Sequence, residues 1–350
     1  MRCGDFRQSY AEDMALFDSP LPRVLLTGLL VFLLVLPQFA TTYWLDVLNR
    51  IFIAIIGAMG LNVVTGFTGL ISLGTAAFLA VGGYATAAMA GKAGLPFVVV
   101  VPLSGLIAAA VGLVFGIPSL RLKGLYLAVA TLAAHYMVEF TVTHWEHMTG
   151  GVNGISIPAA QFAGIELKDD RGIYYLIFPI MVGLLFFTKN LFRTKVGKAF
   201  VAIRDQDISA EVMGVDVFRY KLLAFAISSF YAGVTGVLYT YYLGIANYEQ
   251  FQITVSIDYL AMIIIGGLGS VLGSIFGAIF VTLLPIVIRL TMDAFGGLFF
   301  SPAAVLNIIP NLRLILFGAL IIFFLVVEPE GLNRLWRNVR SYFRFWPFAY

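Results

Sequence analysis

The sequence is poor in charge and in reactive side chains. Only 12% of its 350 residues are Asp, Glu, Lys or Arg, about half the share found in an ordinary soluble domain. A chain so short of polar groups cannot coat a water-soluble globule, and a disordered or nucleic-acid-binding protein is excluded on the same figures. The single cysteine, Cys3, permits neither an internal disulfide nor a thiolate metal cluster. There is no G-x-x-x-x-G-K-[ST] phosphate loop, no Gly-x-Ser-x-Gly elbow and no His-Glu-x-x-His helix. Gly91-Lys92 and Gly197-Lys198 are each followed by alanine, so any ATP chemistry must be supplied by a partner. What the chain does hold is apolar: 60% hydrophobic and 15% aromatic residues, with a net charge of only +3. This is the composition of a polytopic membrane protein.

A membrane-spanning helix needs about 20 mostly apolar residues. Apolar runs of suitable length fall near 21–39, 44–65, 70–90, 95–117, 122–143, 173–188, 222–244 and 312–327. The first follows some twenty mixed-charge residues, and Pro37-Gln38-Phe39 lacks a small-residue cleavage pattern, so a retained segment is expected rather than a cleavable signal. Residues 257–292 are too many for one span and slightly few for two. The GGLGS motif at 266–270 divides them into a half-helix over 257–265, a glycine turn and a full span from Val271. Non-helical backbone at membrane depth must be covered by protein or line a water-filled cavity, which places this turn inside the assembly. The expected fold is an all-α polytopic bundle of about ten segments, one of them broken or half-length.

Orientation follows from Lys and Arg. With the N-terminus inside, most of the 22 basic residues fall on the inner side, including Arg121, Lys123, the 189–221 loop and the tail; only Arg50, Lys92, Lys168, Arg171, Arg289 and Arg313 fall outside. The expected organisation is a cytoplasmic segment over 1–20, a transmembrane domain over 21–327 and a basic cytoplasmic tail over 328–350. Both termini are then cytoplasmic.

Ionisable and polar residues inside a membrane are candidates for function. His135 and Glu139 stand four apart, on one helical face, and either line a polar path or satisfy one another near the outer interface. Asn62 adjoins the Thr65-Gly66-Phe67-Thr68-Gly69 break. His144, Glu146 and His147 cluster as HWEH, but adjacent positions on a helix cannot all face one ion; an interfacial polar segment with Trp145 at headgroup level is the better reading, and no metal is expected. Gly269, Gly273 and Gly277, Gly112 and Gly116, and Ser229 and Gly233 each recur at four-residue spacing. That spacing lets helix backbones approach closely. Gly266, Gly267 and Gly269 also bear on the geometry of a path.

The inside loop over 189–221 is more apolar than a soluble connector requires. Ala199, Val201, Ala202 and Ile203 precede Arg204-Asp205, and the helix-forming run from Ser209 to Val212 ends at Gly214, a suitable C-cap. A short amphipathic helix, with Arg204 and Asp205 at its start, is what a partner's groove would grip.

These segments resemble permeases of the branched-chain amino acid ABC importers. The resemblance lies in RDQDISAEVMGVDVFRYKLLAFAISS from Arg204, GLNVVTGFTGLISLGTAAFLAVGGYATAAMA from Gly60, RLKGLYLAVATLA from Arg121, TGGVNGI from Thr149 and DYLAMIIIGGLGSVLGSIFGAIF from Asp258. It covers about residues 45–330 and is closest to the LivM-type subunit, the larger of the two permeases. Many members carry histidine where this chain has Thr75. By the resemblance, 202–218 is the loop that couples to the ATPase, with Ala202, Arg204, Asp205, Ala210, Gly214 and Phe218 as its residues. Asn62, Thr75, His135, Glu139, Gly266, Gly267 and Gly269 are the candidates for the path. The resemblance further implies a LivH-like second permease, two ATP-binding subunits, a periplasmic binding protein and alternating access in the bacterial inner membrane. The chain itself then needs no cofactor, because ATP binds to its partners. An apolar, glycine-lined path suits leucine, isoleucine or valine; urea or short amides, handled by sister permeases, would fit as well. An ion-coupled secondary transporter would need more carboxylates or histidines at midplane than this chain offers, and an intramembrane enzyme would need a nucleophile and base that it lacks.

Overall fold

The computed structural model describes residues 20–122, 124–162, 165–167, 169–292, 302–328 and 330–345. The expected N-terminal segment, apart from its last residue, lies outside the described residues, as do Cys3, Lys123, Lys168 and the end of the tail.

Helices dominate. In chain order they are α1 (Pro20–Val35), α2 (Thr42–Val64), α3 (Thr75–Thr86), α4 (Phe97–Ser119), α5 (Leu125–His144), α6 (Asp170–Leu191), α7 (Lys195–Asp205), α8 (Asp207–Val212), α9 (Val217–Leu243), α10 (Ile253–Gly266), α11 (Val271–Thr291), α12 (Pro302–Val327) and α13 (Leu332–Phe345). Four very short strands accompany them: β1 (Ile155–Ser156), β2 (Ala160–Phe162), β3 (Ile165–Leu167) and β4 (Ile245–Ala246). β2 and β3 form a hairpin and β1 pairs antiparallel with β4. The 144–171 loop is therefore partly folded, and β1 fastens it to the end of α9.

Among the described residues, six helices are long and apolar enough to cross a membrane: α2, α4, α5, α6, α9 and α11. A seventh is counted if Ile315–Val327 and Leu332–Val339, bent by 54°, are taken as one span. The expected ten full or half segments are thus not ten spans of full length. α1 has 16 residues, α3 has 12 before continuing as a π-helical stretch over Ala87–Lys92, and α10 has 14. The region read as a continuous span over 70–90 differs most, since residues 70–74 are non-helical and the helix begins only at Thr75. Among the described residues the interruption at 267–270 falls at the GGLGS motif, and the break expected at 65–69 extends to residue 74.

The core is built around α2, which is buried along most of its length, and α9, which packs on α2, α3 and α4. Small residues permit this. A methyl group on Gly233 would meet the Ala108 Cβ and the backbone of Gly105 on α4; one on Gly236 would overlap the Leu79 carbonyl of α3. Gly112 faces the Ser229 side chain in the same way. These spacings serve packing within the subunit. Gly273 and Gly277 do likewise: they bring α11 against the backbone of Gly266 and Met262 on α10. Val63, Phe200 and Ala224 form a separate small cluster joining α2, α7 and α9.

Candidate coupling site

The two interruptions meet. Asn62, 1% exposed on the last turn of α2, has both amide hydrogens in use: Nδ2 donates to the Ser270 carbonyl at 2.9 Å and to Ser274 Oγ at 2.7 Å. Its Oδ1 accepts from the Gly269 backbone N–H at 2.9 Å. Its backbone carbonyl accepts from Gly66 and Phe67. One residue thus satisfies peptide groups of both breaks, by its backbone carbonyl at the first and its side chain at the second. Proposed from sequence as a path residue, Asn62 is placed by the structure as a clasp.

The second break is held by glycine geometry. Gly267 has φ +122° and Gly269 φ +73°, conformations that L side chains rarely adopt. Gly266 lies against the backbone of Gly273 and Gly277, where no Cβ fits. Ser270 caps α11 by accepting from the Gly273 N–H at 3.1 Å.

Arg204 connects these breaks to the 189–221 loop. Its Cα and Cβ lie beside Gly69, within ordinary van der Waals reach of a methyl built there, and its guanidinium covers Gly269 so closely that a methyl would overlap Nη1. One residue of the loop therefore rests on both interruptions at once.

The loop consists of two helices. α7 buries Gly197, Ala199, Phe200 and Ile203 against the bundle, and Phe67 of the first break stacks on Phe192, just before α7, at 3.6 Å between ring centroids. Gln206, extended at φ −161°, separates α7 from α8. Arg204 and Asp205 consequently close α7 instead of starting the docking helix, and the acidic residue in the first turn of α8 is Asp207. Asp207 also receives Lys221 Nζ of α9 at 3.4 Å, which pins α8 to the bundle.

The end of α8 is a complete Schellman motif. Gly214 (φ +87°) donates its N–H to the Glu211 carbonyl at 2.9 Å, and Val215 donates to Ala210 at 3.0 Å. Ala210 is buried and serves to seat α8, while Ala202 is half-buried and Phe218, at the start of α9, is exposed. The apolar groups facing outward are Ile208 (63% exposed), Val212 (84%) and Met213 (83%). The sequence had not singled these out as contact residues. Their signal was present in the spacing of Ile208 and Val212, one helical turn apart.

The remaining candidates lie elsewhere. Thr75 is buried at the start of α3, where the next residue's N–H donates to Ser256 Oγ of α10 at 2.8 Å. The Leu73 N–H donates to Thr131 Oγ1 of α5 at 2.9 Å. These bonds satisfy the non-helical stretch and join the two short helices α3 and α10. His135 is buried and approaches Glu139 at 3.6 Å, beyond hydrogen-bonding length, so neither ring nitrogen has a hydrogen bond. Both residues border a small cavity with Ala77, Ala80, Tyr248 and Phe251. His144 stacks on Phe140, and among the described residues no three His, Cys, Asp or Glu converge as a metal site.

A buried clasp between helix breaks, in a chain whose helices are long and apolar enough to cross a membrane, defines a polytopic helical membrane protein. Residues 43–325 match the family described as branched-chain amino acid transport system / permease component, and the chain belongs to that family. It is 35% identical over 272 residues to the high-affinity branched-chain amino acid transport system permease proteins LivM of Salmonella typhimurium and Escherichia coli. The match covers 71% of this chain and 64% of those relatives, so about a third of their length has no counterpart in the alignment. A probable branched-chain amino acid transport permease protein LivM of Methanocaldococcus jannaschii is 25% identical over 239 residues, 66% of each chain. No solved structure matches.

Proposed function

We propose that this chain is the LivM-type permease subunit of a binding-protein-dependent ABC importer carrying leucine, isoleucine and valine across the bacterial inner membrane. It works with a second permease, two ATP-binding subunits and a periplasmic binding protein, and itself binds no ATP. The segments number about ten, with α1, α3 and α10 as short crossings and both termini in the cytoplasm. Residues 21–327 make up the transmembrane domain and 189–221 the coupling loop.

The observation that carries this reading is the contact of Arg204 with Gly69 and Gly269 together. ATP-driven closure of the partner subunits pushes on α8 through Ile208, Val212 and Met213. The push passes across Gln206 to Arg204 at the end of α7, and so to both breaks. Glycine-rich breaks are the places where short helices can swing with little torsional cost. α3 and α10, tied by Ala76 and Ser256, then move as a pair and open the path to alternate sides. The printed names of the relatives support the substrate class, as does the scarcity of fixed charge, since a branched-chain amino acid carries none net.

The test is uptake of radiolabelled leucine into proteoliposomes holding the reconstituted complex. Accumulation should require internal or external ATP on the ATPase side together with the loaded binding protein. Accumulation driven by an ion gradient without ATP would overturn the assignment. A periplasm-active reporter fused after Asp169 should be active, and one fused after Asp207 silent.

A further inference from the structure

We propose that α13 is an in-plane helix that binds anionic phospholipid of the cytoplasmic leaflet. α13 leaves the preceding Ile315–Val327 stretch at 54°, which suits a helix turning from the membrane into its surface. Leu332, Leu335, Trp336 and Val339 fall on one face, whereas Arg334, Arg337, Arg340 and Arg344 recur at spacings of three and four residues on the other. No acidic residue occurs in α13. Leu335, Trp336 and Val339 are each 48% exposed, too open for a face turned to water by a helix that is otherwise so polar.

This face does not stand alone. Trp336 packs on Phe276 of α11 at 5.7 Å between ring centroids, and between the two helices lies an entirely apolar groove of about 520 Å³. Its α11 wall, including Phe280, Leu283 and Val287, is continuous with the outward apolar surface of that span, where Val287 is 52% and Leu290 62% exposed. The groove thus opens toward lipid, with arginines on the opposite side of α13 at headgroup level. An acyl chain fits the groove and a phosphate the basic face, the arrangement of interfacial anchors. Arg334 pairs with Glu328 at 3.1 Å and Arg337 with Glu330, which fixes the start of α13.

The first turn of α13 also touches the transport machinery. Gly331 (φ +62°) lies against the backbone of Ile265, Gly266 and Gly267, and the Glu330 carbonyl faces Gly267. Lipid held by α13 therefore steadies the second break.

The full-length protein in nanodiscs of phosphatidylcholine, with and without phosphatidylglycerol, tests this. Amide exchange across α13 should slow when phosphatidylglycerol is present at low salt, and the effect should fade at high salt. An Arg337→Gln, Arg340→Gln, Arg344→Gln variant should insert normally yet retain phosphatidylglycerol on the order of a hundredfold less well, at about a factor of five per arginine. Exchange that ignores headgroup charge would overturn the proposal. So would protection that depends on protein concentration whatever the lipid, because α13 would then be covered by a protein partner.

Discussion

Asn62 and Gly269 are 207 residues apart in sequence and joined by a 2.9 Å hydrogen bond from the glycine N–H to the amide oxygen. The bond links the end of α2 to the turn between α10 and α11. It makes the two interruptions one mechanical unit, on which Arg204 rests.

Removing the clasp should be severe. Asn62→Ala strands the half-buried Gly269 N–H, while the Ser270 carbonyl keeps its bond from the Ser274 N–H, at a cost of about 1–3 kcal/mol. Thermal unfolding of the purified complex should show a clear loss of stability, and uptake should fall with it. A variant as stable as the parent would mean that water replaces the amide and that the breaks are not clasped.

Gly214 is needed for its backbone. Gly214→Val forces a β-branched residue into a left-handed conformation, costing about 1–3 kcal/mol locally, whereas Gly214→Asn should be tolerated. No described atom lies within 4 Å of a methyl built there, so a defect cannot be put down to crowding. Membrane levels of both variants should be normal. Uptake should fail in the valine variant alone, together with retention of the ATPase subunits on co-purification.

The exposed tip of the elbow should separate docking from folding. Val212→Ser with Met213→Ser removes apolar groups that touch little of this chain. Its unfolding temperature should stay within a degree or two of the parent, as for other surface substitutions, while co-purification of the ATPase subunits drops. A stability loss without a docking loss would place these residues in the fold instead of at an interface.

Much of this arrangement is legible in the sequence, for identifiable reasons. Spans of full length announce themselves through hydropathy alone, and α2, α4, α9 and α11 lie within a few residues of their expected positions. Gly214 is legible because a left-handed cap has a strong residue preference. The stretch over 70–74 is not, because its apolar residues read as helix. The group satisfying the Leu73 N–H is Thr131, 58 positions away. Asn62 stands out as polar, but its partners lie on a distant helix, so path and clasp read alike. The division at Gln206 carries no glycine or proline to mark it. Asp205 reads as a helix start although it ends α7, so Asp205→Lys should gain a favourable dipole contribution of about 0.3–1 kcal/mol.

The central claim is that Arg204 transmits motion from the docking elbow to both breaks, and the ratio of leucine transported to ATP hydrolysed in proteoliposomes measures it most directly. In the Arg204→Ala complex, the ATPase subunits should remain bound and hydrolysis should still respond to the loaded binding protein. Uptake should fall by at least about tenfold, a loss of roughly 1.4 kcal/mol in coupling. An Arg204→Ala complex that keeps the parental ratio, whatever its absolute rate, would contradict the account.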